Sequence, residues 1–224
     1  MLKAKKKLTR KEIKQDKFVT YYFKTLDFYN AHKKEVHYAL LAIVAVAALS
    51  FYVVNSKYAA EQKAAVELAK GKAAFQNGNY DVAIDVLSAL TSDFSGTKSA
   101  GMGTLYLAKA YMAKKQYDLA EQNFKKYLDD YGDDPILSVS AAIGVAVTYD
   151  ERGNYQKAAE LYEQAAQKYK KSFKAPEMLL SAARCYKLAG KIEDARRVLN
   201  LLLKEHADSQ YATDAKLFLA ELRS

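Results

Sequence analysis

The side chains of this chain that could ligate a metal or move a proton are few and far apart. His32, His37 and His206 are scattered and show no zinc-type spacing. Cys185 is the only cysteine, so no disulfide forms within one chain, and its place between Ala183 and Tyr186 reads as a packed thiol rather than a reactive one. Asp133 and Asp134 could approach a cation, but two acids ahead of Pro135 also make a good helix start. The Gly101–Met102–Gly103 run is too short for a phosphate loop and reads as a loose helix entry. No acid, base or nucleophile pair converges. The expectation is a protein that is not an enzyme, with no catalytic residue, metal or cofactor. What remains is binding, and the elements that could organise it are legible in the hydrophobic pattern.

Residues 36–56, VHYALLAIVAVAALSFYVVNS, form one uncharged stretch between Glu35 and Lys57. An α-helix rises ~1.5 Å per residue, so about 20 residues cross the ~30 Å hydrocarbon layer of a bilayer. The stretch therefore reads as a transmembrane helix; the competing reading is a buried core helix, which is usually shorter and broken by charge. Tyr38 at one end, and Phe51, Tyr52 and Tyr58 at the other, form an aromatic belt suited to headgroup depth. His32 and His37 border the same stretch, where an interfacial or structural role outranks ligation. Some 35 residues precede it, too many for the charged region of a cleaved signal peptide, so an uncleaved signal anchor is expected.

Charge sets the orientation. Residues 1–35 hold eleven Lys and Arg against Glu12, Asp16, Asp27 and Glu35, which is +7 of the chain's net +9. Lysines tie in number close to the span, so the orientation rests on the distal cluster from Lys3 to Lys17. Basic tails stay cytoplasmic, which puts the N-terminus in and the body out. The remainder carries only +2, so the basic balance belongs to the tail. Anionic lipid is the expected partner for it, and nucleic acid is not, since no base-reading motif accompanies the lysines.

Within the tail, Thr9 and Glu12 have capping-box spacing. Phe18, Tyr22, Leu26 and Tyr29 then recur at helical intervals, widened by Val19 and Phe23. Such a helix can lie in the headgroup plane or dock on a partner's cytoplasmic surface.

After the span, four segments carry one signature: NGNYDVAIDVL (77–87), KKQYDLAEQNF (114–124), RGNYQKAAELY (152–162) and AGKIEDARRVL (189–199). Ala83, Ala120, Ala158 and Ala195 recur every 37 or 38 residues. Twelve residues before each lies another small one, Gly71, Ala108, Ala146 or Ala183. Antiparallel helices approach closely where both present small side chains. Gly78, Gly153 and Gly190 separate the paired helices, and Pro135 and Pro176 fall where a new one starts. The residues SKYAAEQKAAVELAKGKAAF hold no breaker before Gly71 and favour helix, so the membrane helix is expected to run unbroken from about Lys33 to Phe75. Residues 211–222, YATDAKLFLAEL, read as a closing helix over the last apolar face.

The series Ala108–Tyr111–Ala120–Phe124, Ala146–Tyr149–Ala158–Tyr162–Ala165 and Ala183–Tyr186–Ala195–Leu199 resembles the tetratricopeptide repeat family over roughly residues 59–224. The period exceeds the family's usual ~34 residues, which implies longer helices or linkers, as between Ala165 and Pro176. The resemblance implies an all-α fold: one transmembrane helix, then an α-solenoid of about four helix pairs and a C-terminal capping helix. It also implies that the first helix of each pair lines a concave groove. On that template Leu68, Lys72 and Phe75 line it, then Leu105, Lys109 and Met112, then Ile143, Val147 and Asp150, then Leu180, Arg184 and Lys187. Apolar side chains with a basic fringe suit an amphipathic or extended peptide; the alternative is that they only pack between repeats, since the two orientations differ by one helical step. No groove Asn stands where members that clamp a C-terminal carboxylate have one. The layout of tail (1–35), span (36–56) and repeat domain (57–224) is similar to the YfgM-type ancillary subunits of the bacterial Sec translocon. That likeness implies a single-pass protein of the bacterial inner membrane with a periplasmic repeat domain, docking on a secretion or assembly complex and binding client or chaperone polypeptides. The alternative is a structural scaffold subunit of a large membrane complex, held through its tail. The oligomeric state stays open.

Overall fold

The structure, a computed structural model, describes residues 17–222. The Thr9–Glu12 pair and the lysine cluster up to Arg10 and Lys14 lie outside the described residues. Ten α-helices and no strand occur among the described residues. The chain divides after Ser56 into two units.

In the first unit, α1 (Lys17–Ala31) leads into α2 (Lys33–Gln76). The His32 N–H donates to the Phe28 carbonyl and the Val36 N–H to the His32 carbonyl, both at 3.0 Å, so helical bonding bridges the junction. The 44 residues of α2 form one uninterrupted helix, as the run of Ala, Glu and Lys without a breaker predicts. From His37 to Ser56 every residue is exposed. The Ser50 hydroxyl donates to the Val46 carbonyl at 2.8 Å, so its polarity is spent inside the helix. A helix satisfies its own backbone, which is what hydrocarbon demands. Among the described residues, α2 is the helix long and apolar enough to cross a membrane.

In the second unit the end of α2 pairs with α3 (Tyr80–Asp93), α4 (Lys98–Ala113) with α5 (Tyr117–Asp130), α6 (Pro135–Glu151) with α7 (Tyr155–Lys168), and α8 (Ala175–Leu188) with α9 (Ile192–Glu205). The small residues explain the pairing. Ala83, Ala120, Ala158 and Ala195 are wholly buried, as are Ala108, Ala146 and Ala183. At Gly71 a Cβ would stand 2.4 Å from the Leu87 side chain, so that contact is built for glycine. Leu87, Phe124, Tyr162 and Leu199 are equivalent and buried, each filling the layer beside its small neighbours.

Each turn within a pair is the same Schellman closure. The N–H groups of Asn79, Gln116, Asn154 and Lys191 donate to the carbonyls of Ala74, Tyr111, Tyr149 and Tyr186, all at 2.9 Å. The residue between takes positive φ: Gly78, Gly153 and Gly190 near 75°, and Lys115 at 59° in the second pair. The starts of α4 and α6 are capped by side chains. Asp134 Oδ1 accepts from the N–H of Ile136 and Leu137 at 2.8 and 3.1 Å, with Pro135 at the first turn. At α4 the Thr97 hydroxyl accepts from the Ala100 N–H at 3.0 Å, and the Glu61 carboxylate accepts from the N–H groups of Lys98 and Ser99.

One expectation changes. Gly101 and Gly103 are not a loose entry: both lie buried inside α4, where a Cβ would meet the Tyr131 ring at 2.8 Å and Leu90 at 2.6 Å. They are close-packing positions. The extra length of the repeat is shared between helix and linker, with α7 running on to Lys168 and residues 169–174 then connecting to α8. Finally α10 (Ala212–Glu221) packs on α9, its Ala215 joining Val198, Leu199 and Leu202 in the core.

Candidate peptide-binding groove

The first helices α4 and α6 touch each other directly, whereas no second helix packs as closely on the next second helix among the described residues. The expected groove residues fall on the first helices in three rows. In the first row Leu105 is buried at 2 % exposure and belongs to the core, while Leu68, Ile143 and Leu180 are half-buried against the core clusters. In the second row Lys72, Lys109 and Val147 are half-buried and Arg184 is exposed. In the third row Phe75, Met112 and Asp150 are half-buried and Lys187 is exposed. One helical step separates core from surface, and Leu105 has taken the inward one.

The cations of these rows divide into two kinds. Arg184 pairs with Asp150, and Lys187 pairs with Glu221 at 3.3 Å. Lys72 and Lys109 have no carboxylate within 4.0 Å among the described residues; both instead stand over the Tyr106 ring, at 5.2 and 5.4 Å from its centre. Phe75 meets the same ring edge-on at 5.6 Å. The N-terminal half of the groove thus holds an aromatic pair flanked by two uncommitted ammonium groups, and the C-terminal half is neutralised from within. Tyr106 escaped the sequence reasoning. Its signal is its place three residues before Lys109, on the same helical face.

A second set was also missed: polar pairs 33 or 34 residues apart that lock successive repeats. Asp81 pairs with Lys114, Asp118 with Arg152 at 2.6 Å, Glu163 with Arg197 at 2.6 and 2.9 Å, and Glu177 accepts from the Tyr211 hydroxyl at 3.0 Å. For the first two pairs the legible signal is an acid directly after the Tyr that opens a second helix, with a base at the end of the following first helix. Two carboxylates sit deep in this lattice. For Glu121, burial pushes the carboxyl up, but hydrogen bonds from Lys125, Arg152 and Tyr149 outweigh it and hold the group at about 2. For Glu163, the Arg197 guanidinium and the Tyr186 hydroxyl hold it below the usual range against the pull of burial.

Cys185 is wholly buried, and burial followed by the nearby Asp150 pushes its thiol up to about 12, so it is unreactive as a nucleophile. The His32 ring lies 4.8 Å from Phe28, and His37 Nδ1 is 2.6 Å from the Lys33 carbonyl. His206 ends α9, its N–H donating to the Leu202 carbonyl. On α1, Phe18, Tyr22, Phe23, Leu26 and Tyr29 are all exposed, and so are Tyr21 and Phe28.

Residues 68–135 and 151–222 each match a family model described as tetratricopeptide repeat. The chain belongs to the tetratricopeptide repeat family. Tetratricopeptide domains are protein-interaction scaffolds. No curated protein matches the chain in sequence. Among solved structures, the chain is similar to the nearly identical TPR-like repeats assigned to a Podosopora anserina kinesin light chain, at 18% identity and a TM-score of 0.57, over 72% of this chain and 86% of that one. It is also similar to a tetratricopeptide repeat protein from Parabacteroides merdae, at 15% identity and a TM-score of 0.59, over 72% of this chain and 60% of that one. These likenesses carry the tetratricopeptide fold.

Proposed function

We propose that this protein is a single-pass adaptor of the bacterial inner (cytoplasmic) membrane. Residues 1–35 lie in the cytoplasm, 36–56 cross the lipid, and 57–224 stand in the periplasm. It docks on a secretion, translocation or assembly complex and holds client or chaperone polypeptides in the groove of its repeats. The observation that carries the binding function is the site around Tyr106. Lys72 and Lys109 offer positive charge without a carboxylate partner beside the apolar Phe75–Tyr106 ring pair, which suits an extended or amphipathic peptide with an anionic group. The anchor reading is supported by the exposed apolar length of α2, and the orientation by the lysine-rich tail.

Crosslinking in native membranes followed by mass spectrometry tests this, with the full chain compared against one lacking residues 1–35. The expected result is translocon or assembly subunits together with unfolded clients, and loss of clients in a Lys72→Glu/Lys109→Glu variant. Recovery of soluble cytoplasmic partners alone overturns it. Protease cleavage of the tail from outside spheroplasts reverses the topology.

A second reading has its own support. The exposed aromatics of α1 lie on more than one side of that helix, more than a bilayer surface alone would use. They favour a protein contact there, and with it a scaffold subunit held at fixed stoichiometry through the tail. Disrupting Phe18, Tyr22 and Phe23 would then dissolve the complex while leaving client capture intact.

A further inference from the structure

The two most exposed large apolar side chains of the repeat unit, Ile136 at 70 % and Phe173 at 75 %, line one and the same cleft. It lies between the first half of α6, the connection 169–174 and the start of α8, and of the groove residues described above it shares Ile143 alone. Its volume is about 770 Å³, within the range of sites that enclose side chains or small ligands. Val139, Ile143 and Tyr169 complete the apolar walls. The rim is cationic: Lys168, Lys170, Lys171 and Lys174 all border it. Its one lining carboxylate, Glu177, is already engaged, by Lys174 at 2.6 Å and by the Tyr211 hydroxyl at 3.0 Å. Asp134, next to the cleft in sequence, is spent on the α6 cap. Lys168, Lys170 and Lys171 have no carboxylate within 4.0 Å among the described residues.

We propose that this cleft is a second docking site, taking an acidic segment of a partner protein in which Asp or Glu alternates with Leu or Phe. The apolar floor receives the bulky side chains and the lysine rim meets the carboxylates, so charge complementarity sets the choice. The chain's own tail is excluded as occupant, since residues 1–35 carry +7 and the rim repels them. A flat anionic bilayer meets the rim but leaves the concave apolar floor empty, which favours a peptide over a lipid surface.

The test uses the full chain in nanodiscs of neutral lipid and a short fluorescein-labelled peptide of alternating Leu, Phe, Asp and Glu, read by anisotropy. Expected is a tenfold or greater loss of affinity when Asn and Gln replace the acids, and a similar loss in Lys170→Glu/Lys171→Glu and in Phe173→Ser. These positions are exposed or lie in a connection, and an unchanged melting temperature confirms that the variants fold. Equal binding of the acidic and neutral peptides overturns the proposal. So does retention of binding in both cleft variants. Binding lost in Lys72→Glu/Lys109→Glu but kept in the cleft variants assigns the peptide to the groove, which sinks this inference and leaves the groove reading standing. Capture of anionic vesicles without any peptide binding also overturns it and makes the rim a lipid contact.

Discussion

Val46 and Val198 are identical side chains in opposite surroundings. The first is 64 % exposed on α2; the second is wholly buried on α9. Among the described residues no other part of the chain covers any face of the apolar stretch. In the repeats the same chemistry is hidden by helices that approach over alanine and glycine. The comparison teaches that apolar residues acquire a role from the small residues around them. Where Ala and Gly recur at a fixed period, a core forms. Where apolar residues run on without charge, the helix is long and apolar enough to cross a hydrocarbon layer.

That contrast can be broken from either side. The largest effect is expected from Ala45→Arg with Ala48→Arg, which costs about 2.5–3.5 kcal/mol per arginine at the centre of a span. The protein should move into the supernatant on alkaline carbonate extraction, with the melting of the repeat unit unchanged. Next, Leu202→Ala removes a wholly buried side chain and should destabilise the repeats by about 2–5 kcal/mol in denaturant titration. Leu41→Ala in the exposed stretch should leave that transition where it was.

A smaller effect follows from acid. Glu121 is held at about 2 when folded, below its ordinary 4.5, so its stabilising contribution is complete above pH 4.5 and is lost as pH falls toward 2. Glu163 shifts in the same direction. The melting temperature should therefore drop across that window, and less steeply in Glu121→Gln, which has no carboxylate to protonate. The smallest effect is a gain. Lys115 occupies the positive-φ position that glycine fills in the other three turns, so Lys115→Gly should stabilise the second pair by a few tenths to about 1 kcal/mol.

The helices, their pairing and the unbroken α2 were legible because they rest on local signals: alanine spacing, a glycine at three of the four turns, Asp134 before Pro135, and a charge-free run. What escaped needed the third dimension. Leu105 and Leu68 occupy equivalent positions, yet only Leu105 is buried, in one cluster with Phe124, Ala141 and Val145 from the elements that follow it. Gly101 and Gly103 look like a flexible entry until the Tyr131 ring and Leu90 fill the space beside them. Lys115 offered no sign of its left-handed backbone, because the closure tolerates a lysine where its neighbours use glycine. The lysine cleft joins residues some forty apart and has no periodicity to betray it.

The recurring acid–base pairs have an evolutionary corollary. Excision of residues 82–118 would join Asp81 to Leu119 and leave Arg152 standing 34 positions beyond Asp81, the separation that Asp118 and Arg152 now have. A gene shortened by one module would keep its clasp. Copy number in this array is thus free to change by unequal recombination, without inventing a new seam.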